Sequence, residues 1–181
     1  MEFAHQKSVS GADIKYVRKK MKLTQKEFAD LINVSHKTVE RWEQSRQPVT
    51  GPIVTLLTIF EEAPELKEQL QIPEQTYPLR LFYMKRDKLC TLIDVDERNQ
   101  CVQIKNYTGD LPNRAFGRNE APSYAEYEAF LESRCFPRER DKMKLMLKEL
   151  NLPFYDPLLI IQKTEGRMAE DDQWIRIENK T

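Results

Sequence analysis

Lys37 and Arg41 are the side chains with the clearest chemistry in this sequence, and they stand four residues apart. On a helix that spacing puts both on one face, one turn from each other. His36 and Glu40 repeat the same interval beside them. A guanidinium can donate two parallel hydrogen bonds to guanine O6 and N7, an ammonium suits guanine or phosphate, and a carboxylate accepts from the cytosine amino group. This chemistry reads base edges and breaks no bonds. Ser35 and Thr38 add hydroxyls at the start of the same stretch. Gln25 adds an amide at the start of the preceding one, where helix N–H groups favour a phosphate. His36 is equally compatible with an ordinary exposed histidine, and Glu40 with pairing to a neighbouring Lys or Arg.

No comparable constellation supports catalysis. The histidines are His5 and His36, so no Ser-His-Asp set can form, and five glycines provide no phosphate-binding loop. Glu170, Asp171 and Asp172 are consecutive and share no face of a helix or strand. They are assigned to capping or to an ion pair with the basic run Arg134, Arg138, Arg140, Lys142 and Lys144. Cys90, Cys101 and Cys135 are odd in number and widely spaced, which argues for buried thiols over disulfides or zinc. The expectation is a protein that is not an enzyme, with no cofactor and no metal.

The elements that must carry the Lys37–Arg41 face are legible around it. Thr24 with Glu27 makes a capping box for a first helix, whose apolar stripe is Phe28, Leu31 and Ile32. Asn33 falls where the chain must turn, and Asn tolerates the left-handed conformation. Ser35 caps a second helix with Val39 and Trp42 facing inward. Gly51-Pro52 sets a tight turn and a helix N1 position, ahead of the apolar run Ile53–Phe60.

Leu23-Thr24-Gln25, Phe28-Ala29, Val34-Ser35, Thr38-Val39 and Trp42-Glu43 together resemble the Xre family of Cro/lambda-repressor-like helix-turn-helix regulators over roughly residues 10–62. The family usually has Gly where this chain has Asn33 and Ser45. The Pro48-x-x-Gly51-Pro52 lead into an apolar helix resembles the antitoxin branch of that family. The resemblance implies double-stranded DNA as partner, a recognition helix carrying Ser35–Arg41, and a homodimer on a palindromic operator.

Residues 1–50 hold ten Lys/Arg against six Asp/Glu, while the chain as a whole is neutral with 29 of each. A basic front on an acidic body fits a nucleic-acid-binding head. The expected layout is a flexible leader over 1–10, an all-α helix-turn-helix domain of four to five helices over 11–71, and a proline-containing linker over 72–78. A small α+β domain over 79–181 follows, for dimerisation or partner binding. Its three-stranded antiparallel meander comprises Leu79–Met84, Leu89–Val95 and Cys101–Asn106. Its three helices are Ser123–Arg134, one from Pro137 to about Leu150, and Pro157–Thr164. Trp174–Ile177 is a candidate last strand.

Phe136-Pro137-x-x-Arg140 and Gly166–Ile175 loosely resemble the N-terminal region of HipA-like kinases, without the kinase machinery. That likeness implies a toxin or kinase-like protein partner. Two functions follow: a DNA-binding repressor or antitoxin-type autoregulator, or an adaptor that neutralises or assists such a kinase, with DNA binding secondary. No apolar run reaches membrane-spanning length, and residues 1–10 lack a signal-peptide apolar core. The expected location is the cytoplasm.

Overall fold

Three Ser/Thr capping boxes start helices among the described residues, at Ser10, Thr24 and Ser123, and each is a signal carried by neighbours in the chain. A computed structural model describes residues 6–139, 141 and 143–180. These fall into two units, Met1–Ile72 and Pro73–Thr181.

The first unit is helical. Helix α1 (Gly11–Lys20) begins at Ser10, whose hydroxyl accepts from the Asp13 N–H while the Asp13 carboxylate accepts from the Ser10 N–H. Thr24 and Glu27 repeat this device for α2 (Gln25–Leu31). Asn33 then takes φ 55°, the left-handed turn its residue type suggested, and the Val34 N–H returns to the Ala29 carbonyl. Helix α3 (His36–Gln44) starts on the Ser35 cap. Gly51, at φ 98°, leads Pro52 into α4 (Pro52–Glu62), and α5 (Leu66–Leu70) follows. Ile14, Val17, Phe28, Val39, Val54, Leu57 and Phe60 interlock as the core, each large side chain contributing about 1.5–3 kcal/mol by leaving water.

Val9 and Ser10, assigned to the leader by sequence, are built into this unit. Val9 is buried and pairs with Val49 through N–H···O bonds of 2.9 and 2.8 Å. Residues 1–5 of that leader lie outside the described residues.

The second unit is a four-stranded antiparallel sheet carrying helices. Strands β1 (Leu79–Lys85), β2 (Lys88–Asp96) and β3 (Cys101–Asn106) form the expected meander, with Leu81 opposite Ile93 and Ile93 opposite Ile104. The fourth strand, β4 (Gln173–Asn179), pairs with β1 on the other side, so the order is β3-β2-β1-β4. This corrects the three-stranded count. Trp174–Ile177 is a strand, and Ile175 is its buried residue. Leu79, Leu81, Tyr83, Ile93, Val95 and Ile175 pack in one cluster with Tyr127, Phe130 and Leu131 of α6 (Tyr124–Ser133), and with Ile160 and Ile161 of α8 (Pro157–Thr164).

Helix α7 (Met143–Glu149) begins later than Pro137. Phe136 and Pro137 are non-helical and Arg138–Glu139 form a turn, so Pro137 does not open the helix. Arg140 and Lys142 of the basic run lie outside the described residues.

The segment expected as a linker is bonded to the second unit. The Thr76 N–H donates to Asp94, Arg80 donates to the Pro73 carbonyl, and the Lys180 ammonium donates to the Gln75 carbonyl. Arg80 and Asp94, both buried, form a two-pronged pair at 2.6 and 2.7 Å across β1 and β2. At the far end of the sheet Arg134 pairs with Asp171 at 2.6 Å and also donates to the Gly166 and Gln173 carbonyls. The acidic run thus serves the structural ion pair expected of it, and no group of three His, Cys, Asp or Glu converges as a metal site among the described residues.

Candidate nucleic-acid interface

Helix α3 owes its position to its buried side. Val39 is fully enclosed and Trp42 is half-buried against the same core. With those two inward, His36, Lys37 and Arg41 are driven out to solvent, and Thr38 and Glu40 sit half-exposed between. Lys37, Glu40, Arg41, Gln44 and Ser45 line one open surface concavity. Gln44 was not among the residues expected on this face. Its spacing, seven from Lys37 and three from Arg41, was the available signal.

The remaining predicted residues have structural partners of their own. The Ser35 hydroxyl accepts from the Thr38 N–H at 3.2 Å, and the Ser35 and Thr38 hydroxyls hydrogen-bond at 2.8 Å. His36 Nδ1 lies 3.9 Å from the Glu40 carboxylate. Gln25, half-buried at the first turn of α2, donates its amide to Glu43 at 2.9 Å. This bond joins the start of α2 to the end of α3.

Glu43 is the centre of that junction. Arg18 of α1 grips its carboxylate from Nε at 2.6 Å and from Nη2 at 3.0 Å. Arg18 Nη1 also donates to the Leu23 carbonyl at 2.8 Å, just before the α2 cap. Burial pushes the Glu43 carboxyl up, but hydrogen bonds from Arg18 and Gln25 outweigh it and hold the carboxyl below its ordinary range. The same bond raises the Arg18 guanidinium. One ion pair therefore ties α1, α2 and α3 together behind the exposed face. Gly11 closes the assembly from the other end of α1, where a Cβ would lie 2.3 Å from the Trp42 carbonyl oxygen.

Helix α2, a left-handed turn at Asn33, and α3 with an exposed cationic face form a helix-turn-helix geometry. The helix-turn-helix family profile matches residues 14–58. This unit is a helix-turn-helix domain of the Xre type. The chain is also similar to the antitoxin HigA-2 of Vibrio cholerae, with 34% identity over 58 residues. That match takes in 32% of this chain and 56% of the antitoxin, so the chain spans about half the length of this curated relative. In helix-turn-helix motifs the N-terminal residues of the second helix contact base edges, and α3 is the second helix of the motif in this unit. The family match ends at residue 58 and does not bear on the kinase likeness of the second unit. No helix among the described residues is long and apolar enough to cross a membrane.

Proposed function

We propose that this protein is a sequence-specific transcriptional regulator, a repressor or antitoxin-type autoregulator. It binds a palindromic operator in the cytoplasm as a homodimer. The observation that carries the reading is the exposed Lys37–Arg41–Gln44 surface on a helix held from behind by Arg18 and Glu43. Two such helices set about 34 Å apart would enter successive major grooves of one duplex face. Lys37 supplies a phosphate or guanine contact and Arg41 a two-pronged guanine contact. Gln25, Ser35 and Thr38 stand at helix N-termini suited to phosphates, with His36 and Glu40 on the same rim.

Likeness to an antitoxin supports a toxin as a further partner, taken by the second unit. In the kinase-like version of that reading the second unit neutralises or assists a HipA-like protein. Footprinting of the DNA upstream of the protein's own gene tests the primary function. Protection of two half-sites related by a dyad is the expected result. Binding that is equal on all sequences, with no protected site, overturns it.

A further inference from the structure

The sheet of the second unit has two edges, β3 and β4, and they are finished differently. At β4 the Ile175 N–H, which points away from β1, is taken by the Glu165 carbonyl at 2.7 Å. At β3 the Tyr107 N–H donates back to the Cys90 carbonyl at 2.8 Å. Hydrogen-bonded pairs alternate along an antiparallel ladder. Cys101, Gln103 and Lys105 therefore turn their backbone groups toward β2, and Val102, Ile104 and Asn106 turn theirs outward. No hydrogen bond meets these outward backbone groups among the described residues.

Strand β3 also lacks the devices that usually blunt an edge. It contains no proline or glycine, its register with β2 is unbroken, and Lys105 is its one charge. Val102 and Ile104 pack on the core and hold the strand in place. Such an edge is a template for another strand.

We propose that β3 pairs antiparallel with β3 of a second copy, about a twofold axis at Ile104. This rests on the homodimer reading above and gives that dimer its contact. A twofold interface sets one patch against itself, and the chemistry of β3 suits its own copy. With the axis at Ile104, Val102 faces Asn106 of the second copy, and every outward N–H and C=O of the strand finds a partner. An axis at Gln103 leaves Asn106 unpaired. About Ile104, Lys105 faces Gln103 of the second copy and never its own equivalent, so no like charges oppose each other. One sheet then runs through both copies.

Sedimentation equilibrium of the full chain without DNA tests this apart from any operator. A dimer at micromolar concentration is expected. A monomer overturns the proposal and leaves the edge to a strand of another protein. Gln103→Lys should weaken the dimer about tenfold, because the new ammonium meets Lys105 of the second copy on both sides of the axis. Gln103 is exposed and lies across from Asp94 on β2, so this variant should melt like the wild type. Adding Lys105→Glu should restore association. Gln103→Cys and Lys105→Cys, each combined with Cys101→Ser, should form a reducible cross-linked dimer when mixed under a mild oxidant. Each alone should cross-link far more slowly, since only the facing, non-hydrogen-bonded pair brings its side chains close enough for a disulfide. A dimer indifferent to Gln103→Lys, or a mixture that gives no cross-link, overturns the proposal. A dimer that passes these tests but leaves no footprint on DNA sinks the regulator reading alone.

Discussion

Arg18 and Glu43, 25 residues apart, meet through two hydrogen bonds of 2.6 and 3.0 Å, with side chains only 10% and 4% exposed. Removing one partner strands the other charge in a poorly solvated site. Glu43→Ala should therefore cost about 3–5 kcal/mol, read as a loss of urea resistance by Trp42 fluorescence. Arg18→Met combined with Glu43→Leu should recover much of that loss, since an apolar pair of similar volume does not leave a charge behind. If the two single costs simply added in the double variant, the ion pair would not be the tie between α1 and α3.

Acid should loosen this tie in a definite direction. The folded-state pKa of Glu43 lies below the ordinary value of 4.5, so its stabilisation is complete above that value. It is lost as pH falls through the lower folded value. Asp171 is lowered by its hydrogen bond to Arg134, from 3.8, and behaves with the same sign in the second unit. Melting temperatures should be flat near neutrality and fall below about pH 4.5. Glu43→Gln should start lower and show a shallower acid decline. An unchanged acid slope in that variant would remove Glu43 from the account.

The three cysteines should separate cleanly by reactivity. Burial pushes the Cys135 thiol up to about 12 and raises Cys90 as well, so both remain thiols at neutral pH inside the second unit's core. Cys101 is exposed, against the expectation of buried thiols throughout. Alkylation of the native chain at pH 7.5 should modify Cys101 fast and the other two only under denaturant, because the thiolate is the reactive form. Mass mapping of the modified peptides decides this, and rapid labelling of Cys135 would contradict its burial.

Gly11 is needed for a close approach and not for an unusual dihedral angle. A methyl group there would sit 2.3 Å from the Trp42 carbonyl oxygen, so α1 and α3 would have to part. Gly11→Ala should destabilise the first unit by about 1–3 kcal/mol, despite the better helix propensity of alanine. A melting temperature at or above that of the wild type would mean that the helices tolerate the shift.

The parts of this protein legible in its sequence are those built from neighbours in the chain. Ser123 with Glu126, Thr24 with Glu27, and Asn33 at the turn are local signals, and the structure has them where the residue types put them. The pairings set by distant segments were not legible. Trp174–Ile177 is legible as a strand, but its pairing with β1 across some ninety residues leaves no local mark in the sequence. The Arg18–Glu43 pair leaves no mark on periodicity either, since a buried ion pair looks like two surface charges in a sequence. The late start of α7 reflects a further limit. Pro137 suits the first turn of a helix, but it equally suits the turn that the chain makes there.

The two cations of α3 should differ in what their loss does. Lys37→Ala should weaken operator binding by about 1–3 kcal/mol. If its contact is to phosphate, the loss should be nearly uniform across sequences, with the salt slope reduced by about one. Arg41→Ala should cost a similar amount but relax preference at one base pair of each half-site, because a guanidinium on guanine carries sequence information and a phosphate contact does not. Gln44→Ala, further along the same surface, should have the smaller effect, since base contacts in this motif concentrate toward the helix N-terminus. Gel shifts at several salt concentrations on the footprinted site and on single-base variants separate these outcomes. Wild-type affinity in both Lys37→Ala and Arg41→Ala, with the fold intact by circular dichroism, would move the reading face elsewhere on the domain.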